Sequence, residues 1–106
     1  MIIVTGHSDG SVYYWTNFDV KTKTLIEKYT NEDAVVNITT FTYGIIISTE
    51  ASKIHLWDFS FKNNIKNIDL TTFSFKLFNY SIADVLVVTD KLLVTTKNGD
   101  IIEIKF

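Results

Sequence analysis

Three stretches of this chain carry one hairpin pattern: IIVTGHSDGSVYYW from Ile2, GIIISTEASKIHLWDF from Gly44 and KLLVTTKNGDIIEIKF from Lys91. Superposed, they set Trp15 over Trp57 over Ile104, at spacings of 42 and 47 residues. Self-similarity at such a period restricts the fold more than any other feature. Each unit is too small to bury its own apolar surface, so neighbouring units must stack on one another. The intervening segments repeat as well, with an outer strand (Thr24–Tyr29, Ile65–Leu70) followed by an inner strand (Ala34–Thr42, Asp84–Thr89). The sequence thus divides into the end of one unit over residues 1–30, a complete unit over 31–70 and most of a third over 71–106.

The residue types point to strands. Ile, Val and Thr number 14, 9 and 14 of the 106 residues, and β-branched side chains favour the extended backbone over the helix. Short apolar runs between turn residues predict ten strands: Ile2–Thr5, Ser11–Thr16, Thr24–Tyr29, Ala34–Thr42, Ile45–Thr49, Lys53–Asp58, Ile65–Leu70, Asp84–Thr89, Leu92–Thr96 and Asp100–Lys105. Asp9-Gly10 and Asn98-Gly99 suit two-residue type I′ turns, and Tyr43-Gly44 and Asp90-Lys91 read as tight reversals. Asn17–Lys23 and Asp58–Asn64 read as longer loops. The runs IIIST, VLVVT and LLVTT are apolar at successive positions, which predicts strands covered on both faces. An all-β fold with little or no helix is expected.

Charge and composition bear on function class. The net charge is −2, and all ten basic residues are Lys. Without Arg the chain lacks the residue best fitted to bidentate phosphate contacts, which argues against nucleic acid. Absence of Cys removes disulfides and thiolate metal sites and leans towards a reducing, cytoplasmic setting. No apolar run approaches the roughly 20 residues of a membrane-spanning helix, and the first residues lack a signal-peptide pattern. No membrane partner is expected.

The run V-T-G-H-S-D-G-S-V-Y-Y-W (Val4–Trp15) and the later I-H-L-W-D (Ile54–Asp58) resemble blades of WD-repeat β-propellers, in which a hairpin with a Gly turn leads into a strand ending in Trp-Asp. The wording is most similar to the echinoderm microtubule-associated-protein-like group, through TGHSDGSVY-W and LLV-TKNG-I-EI phrases. The resemblance covers nearly the whole chain and implies an incomplete propeller of about two and a half antiparallel four-stranded blades. It also implies a blade network in which a buried Trp is tied through polar partners to a Ser/Thr of the preceding strand, an Asp of the turn and a His at the inner-strand entry. Thr5, Asp9 and Trp15 match that set, but Asn31-Glu32-Asp33 stands where the His is expected. In the second unit Trp57 is kept while Ala51-Ser52 replaces Asp-Gly. In the third, Asn98-Gly99 keeps the turn and Ile104 replaces Trp. Propellers close with about four to eight blades, so the expectation is a fragment of a longer protein that requires further blades, or a truncated gene product, in preference to the alternative of a self-assembling piece. Edges rich in Ile and Val would make the piece prone to association.

Candidate chemistry is sparse. His7 and His55 are the two histidines, and two imidazoles without Cys or a carboxylate cluster argue for no metal. Glu32-Asp33 reads as a solvated turn more readily than as an acid/base pair. Trp15, Trp57 and Tyr13-Tyr14 read as sheet-on-sheet packing more readily than as a ligand cage. No catalytic residues and no cofactor are expected. By the topology the resemblance implies, one rim carries Asp9, Glu32, Asp33 and Glu50, and the other carries Lys21, Lys23, Lys62, Lys66 and Lys91. Such a lysine rim suits an acidic protein surface, tubulin or a microtubule in the implied family, by charge steering. A merely solvated, soluble rim is the alternative, and the residues favour it. The expected function is a non-catalytic protein-interaction scaffold, cytoplasmic or cytoskeletal. The alternative is a ligand- or peptide-binding β domain, or the non-catalytic part of a larger enzyme.

Overall fold

The computed structural model describes residues 3–15, 24–28, 34–72, 82–88 and 91–105. Ten strands follow in chain order: β1 (Ile3–Gly6), β2 (Ser11–Trp15), β3 (Thr24–Lys28), β4 (Val35–Phe41), β5 (Gly44–Thr49), β6 (Lys53–Asp58), β7 (Asn64–Asp69), β8 (Ile82–Val88), β9 (Lys91–Thr96) and β10 (Ile101–Lys105). Among the described residues there is no α-helix, only a 3-10 turn over Leu70–Thr72. Strands form where β-branched runs were expected, Val35–Phe41 included. They assemble into three antiparallel sheets, ordered β1-β2-β3, β4-β5-β6-β7 and β10-β9-β8.

The sequence repeat is reproduced in hydrogen-bond register. Ile3 faces Trp15, Ile45 faces Trp57 and Leu92 faces Ile104 across the three hairpins. Three pairs further along, Gly6 faces Val12, Ser48 faces Ile54 and Thr95 faces Ile101. The inner strands agree too. Ile38 pairs with Ile47 as Val85 pairs with Val94, and both strands shift register at corresponding places, between Val35 and Asn37 and between Ile82 and Asp84.

The hairpin turns differ from the type I′ geometry that Asp-Gly and Asn-Gly suggest. Gly10 and Gly99 have φ of 89° and 90°, and Ser52 has φ of 64°, whereas Asp9 and Asn98 are not in the left-handed region. Gly10 N–H donates to the His7 carbonyl at 3.1 Å and His7 N–H to the Ser11 carbonyl at 3.0 Å, which closes a three-residue loop. Gly99 N–H donates to Thr96 O and Thr96 N–H to Asp100 O, both at 3.0 Å. This is a type I turn completed by one left-handed residue, so only the third loop position needs positive φ. All three hairpins share it, with Ser52 filling the glycine's place.

Each sheet turns alternate side chains to opposite faces, and the second sheet uses both. Ile45, Ile47 and Trp57 pack with Val12, Val4, Val35, Ile38 and Phe61, against the first sheet. Ile46, Ile54, Leu56, Ile68 and Leu70 pack with Ile82, Val85, Leu92 and Val94, against the third. Every residue of β5 is accordingly buried, as two-sided cover of IIIST requires. In β8 and β9, by contrast, burial alternates along the strand. VLVVT and LLVTT therefore have one covered face, because no described sheet lies beyond the third.

Two polar links stitch neighbouring sheets near the inner strands. Val35 N–H donates to the His7 carbonyl at 3.1 Å, joining the first sheet to the second. Asn37 Nδ2 donates to Asp84 Oδ1 at 2.7 Å, joining the second to the third. Asn37 and Asp84 hold equivalent positions in the two inner strands, so one repeat position bonds to the next.

Candidate functional site

The first hairpin turn organises its own polar side chains. Asp9 Oδ1 accepts the Ser11 backbone N–H at 2.9 Å and also the Ser11 hydroxyl, an arrangement that fixes the turn. Thr5 Oγ1 is hydrogen-bonded to His7 Nε2 at 3.0 Å, and the His7 ring meets the edge of Tyr13 at 5.3 Å. Trp15 Nε1 is buried with no hydrogen-bond partner among the described residues. Thr5, Asp9 and Trp15 thus lie in one hairpin but bond to different neighbours, and Asn31-Glu32-Asp33 lies outside the described residues. Trp57 sits in the core between the first and second sheets.

His55, on β6, is largely buried, and its Nδ1 lies 2.7 Å from the Asn67 side-chain oxygen on β7. His7 follows β1 in the first hairpin and His55 lies on β6 of the second sheet, and their side chains have separate partners. Among the described residues no group of three or more His, Asp or Glu side chains is placed to hold a metal ion.

At the other rim, the loop after β6 is ordered around Asp58. Its carboxylate accepts the Ser60 hydroxyl at 2.8 Å and the Asn63 amide at 2.9 Å. Asn63 and then Ser60 hold the carboxyl below its ordinary range by bonding to its charged form. Phe61, at φ 60°, reaches back to stack on Tyr14 at 4.7 Å. The loop thereby clips the second sheet to the first, and Asp58 reads as its cap.

The structure describes part of the expected lysine rim. Lys21 and Lys23 lie outside the described residues, and Lys62 is exposed in the Asp58 loop. Lys66 is exposed too, but it stands within β7 opposite Leu56. Lys91 opens β9 and is ion-paired with Glu103 at 2.7 Å. Lys66 thus lies in the strand expected over Ile65–Leu70, and β9 begins one residue earlier than expected, with Lys91 as its first residue.

An apolar surface lies on the outward face of the third sheet, where Leu86, Val88 and Ile101 are 51%, 46% and 71% exposed. Residue types alone did not mark it, since Leu86 and Val88 belong to a run as apolar as the buried IIIST. The register repeat is the signal that exposes it, for the equivalent face of the second sheet is covered.

Comparison with known proteins adds one finding about the fold. No protein-family pattern and no curated protein sequence matches the chain. Its backbone is similar to a crystal structure of the computationally designed Ika8 protein, with a TM-score of 0.54 at 12% sequence identity. The match covers 99% of this chain and 43% of the designed one. This chain therefore spans less than half the length of that protein.

Proposed function

We propose that this chain is a non-catalytic protein-interaction scaffold, built as an incomplete propeller of about two and a half blades. The observation that carries the reading is the pair of equivalent interfaces made by the second sheet, one with each neighbour. Such stacking in a constant sense generates a ring or an arc, and leaves its rims of turns and loops to meet partners. The turn-lined rims hold side chains whose bonds serve local geometry, as at Asp9 and Asp58. Protein partners, cytoplasmic or cytoskeletal, suit this better than a substrate. Resemblance to the WD-repeat and microtubule-associated-protein-like blades extends the reading to tubulin or microtubules, met by lysines of one rim, with further blades completing the ring.

Co-sedimentation with microtubules tests the partner. Changing Lys21, Lys23, Lys62 and Lys66 together to Glu reverses four charges, and a steered encounter with an acidic surface should weaken at least tenfold and lose its salt dependence. Unchanged sedimentation of the quadruple variant ends the tubulin reading. It would leave the scaffold, whose partner would then be met by other residues.

A further inference from the structure

Equivalent positions in the three sheets do not have equivalent surroundings. Val12, Ile54 and Ile101 occupy one register site, opposite Gly6, Ser48 and Thr95. Val12 and Ile54 are 0% exposed and Ile101 is 71% exposed. In the first two sheets this site faces the sheet that follows. In the third, no described sheet follows.

The opposite end of the stack mirrors this. The face of each sheet that bears Trp15, Trp57 or Ile104 is directed towards the preceding sheet: Ile104 and Leu92 lie against the second sheet, and Trp57 and Ile45 against the first. By the same alternation, Ile3, Thr5, Tyr13 and Trp15 point away from the second sheet, to a side where no described sheet lies. They are half-buried and uncharged.

The chain therefore carries both halves of an interface that it already makes twice. We propose that copies of this chain associate head to tail, the outward face of the third sheet in one copy stacking on the Ile3–Trp15 face of the first sheet in the next. Continuity with the two internal interfaces selects a second copy as the occupant. In that arrangement Trp15 joins Leu93 and Ile101 in one cluster as Trp57 shares one with Val4 and Val12, since Leu93 aligns with Val4 and Ile101 with Val12. The third-sheet face carries Lys91 and Glu103, which already neutralise each other in a 2.7 Å pair, and Lys105 at the end of β10, opposite Lys91 and at the margin of the apolar patch. Such a contact is heterologous: it joins different patches and propagates until the stack closes or ends. The inference stands on the sheet register alone, so its failure and that of the scaffold reading are separate results.

The test is the mass of the purified chain in solution, measured by light scattering and sedimentation velocity over a range of concentrations. Wild-type chain should exceed the mass of one chain and grow with concentration. Ile101→Glu blocks the third-sheet face and Ile3→Glu the first-sheet face, so each variant alone should stay at the mass of one chain. An equimolar mixture should give the mass of two, because each variant keeps the face that the other lacks. Far-UV circular dichroism checks that the strands persist, and Thr5→Lys replaces Ile3→Glu if that variant loses its strand signal. A wild-type chain that stays single at all concentrations overturns the proposal. So does a first-sheet variant that associates like wild type, which would mean like faces pairing, or a mixture that does not pair.

Discussion

At the third position of the Lys97-Asn98-Gly99 turn, backbone conformation can be separated from packing. Gly99 has φ of 90°, and a Cβ placed there would meet nothing within 4 Å. Gly99→Ala should therefore cost only the left-handed strain, about 1 kcal/mol, read as a lowered urea midpoint with an unchanged slope. An unaltered midpoint would mean that the turn relaxes to another geometry. Asp69 offers a second residue-scale prediction. The Thr71 hydroxyl at 2.6 Å, with the Thr71 backbone N–H and the charge of Lys53, holds its carboxyl below the usual value of 3.8. A carboxyl whose pKa is depressed by folding contributes stability above the unfolded value and loses it as pH falls through the folded one. Acid titration of unfolding should therefore show stability declining below about pH 4, and Asp69→Asn should flatten that decline. If the variant and wild type lose stability in parallel, Asp69 carries none of it.

At the scale of elements, Gly6 governs how closely the first sheet can approach the second. A Cβ on Gly6 would lie 2.7 Å from Val35 Cβ and closer still to Val35 Cγ1. Gly6→Ala should destabilise by about 1–3 kcal/mol through overpacking, and adding Val35→Ala should recover part of the loss. Equal stability of Gly6→Ala and wild type in denaturant titration would show that the interface has slack. Much of this scale is legible from sequence, because strands of β-branched residues between turn residues leave few alternatives, and the repeat fixes which strands correspond. The Asp9-Gly10 and Asn98-Gly99 turns were placed correctly and typed wrongly. The dipeptide serves both a two-residue loop and the last two positions of a three-residue one, and Ser52 shows that the loop geometry outlasts the glycine. Two-sided cover was right for IIIST and wrong for VLVVT and LLVTT. An apolar strand records which face prefers burial, not whether a neighbouring sheet is there to cover it. Of the expected lysine rim, Lys21 and Lys23 lie outside the described residues, and Lys91 stands in a strand instead of a turn because β9 begins one residue before its apolar run.

For the whole molecule, stability is shared unequally among sheets that are unequally covered. The second sheet buries both faces and the third buries one, so amides of β5 should exchange slowest and those of the third sheet faster, in keeping with local opening where apolar cover is thin. Intermolecular stacking would change that ranking in a way that internal packing cannot. A species that forms only from folded chains stabilises folding by mass action, and each tenfold rise in protein concentration can add at most about 1.4 kcal/mol to an association-coupled unfolding free energy. For a chain of this size that corresponds to about 5–10 °C in the unfolding midpoint. Thermal unfolding monitored over two decades of concentration should therefore shift upward for wild type, with β8 to β10 gaining exchange protection as the concentration rises. Ile101→Glu removes the contact without opening a cavity, because the side chain is already exposed, and its midpoint should be independent of concentration. A wild-type midpoint equally flat would assign all of the stability to the two interfaces inside one chain, and would leave Leu86, Val88 and Ile101 exposed in the folded protein in solution.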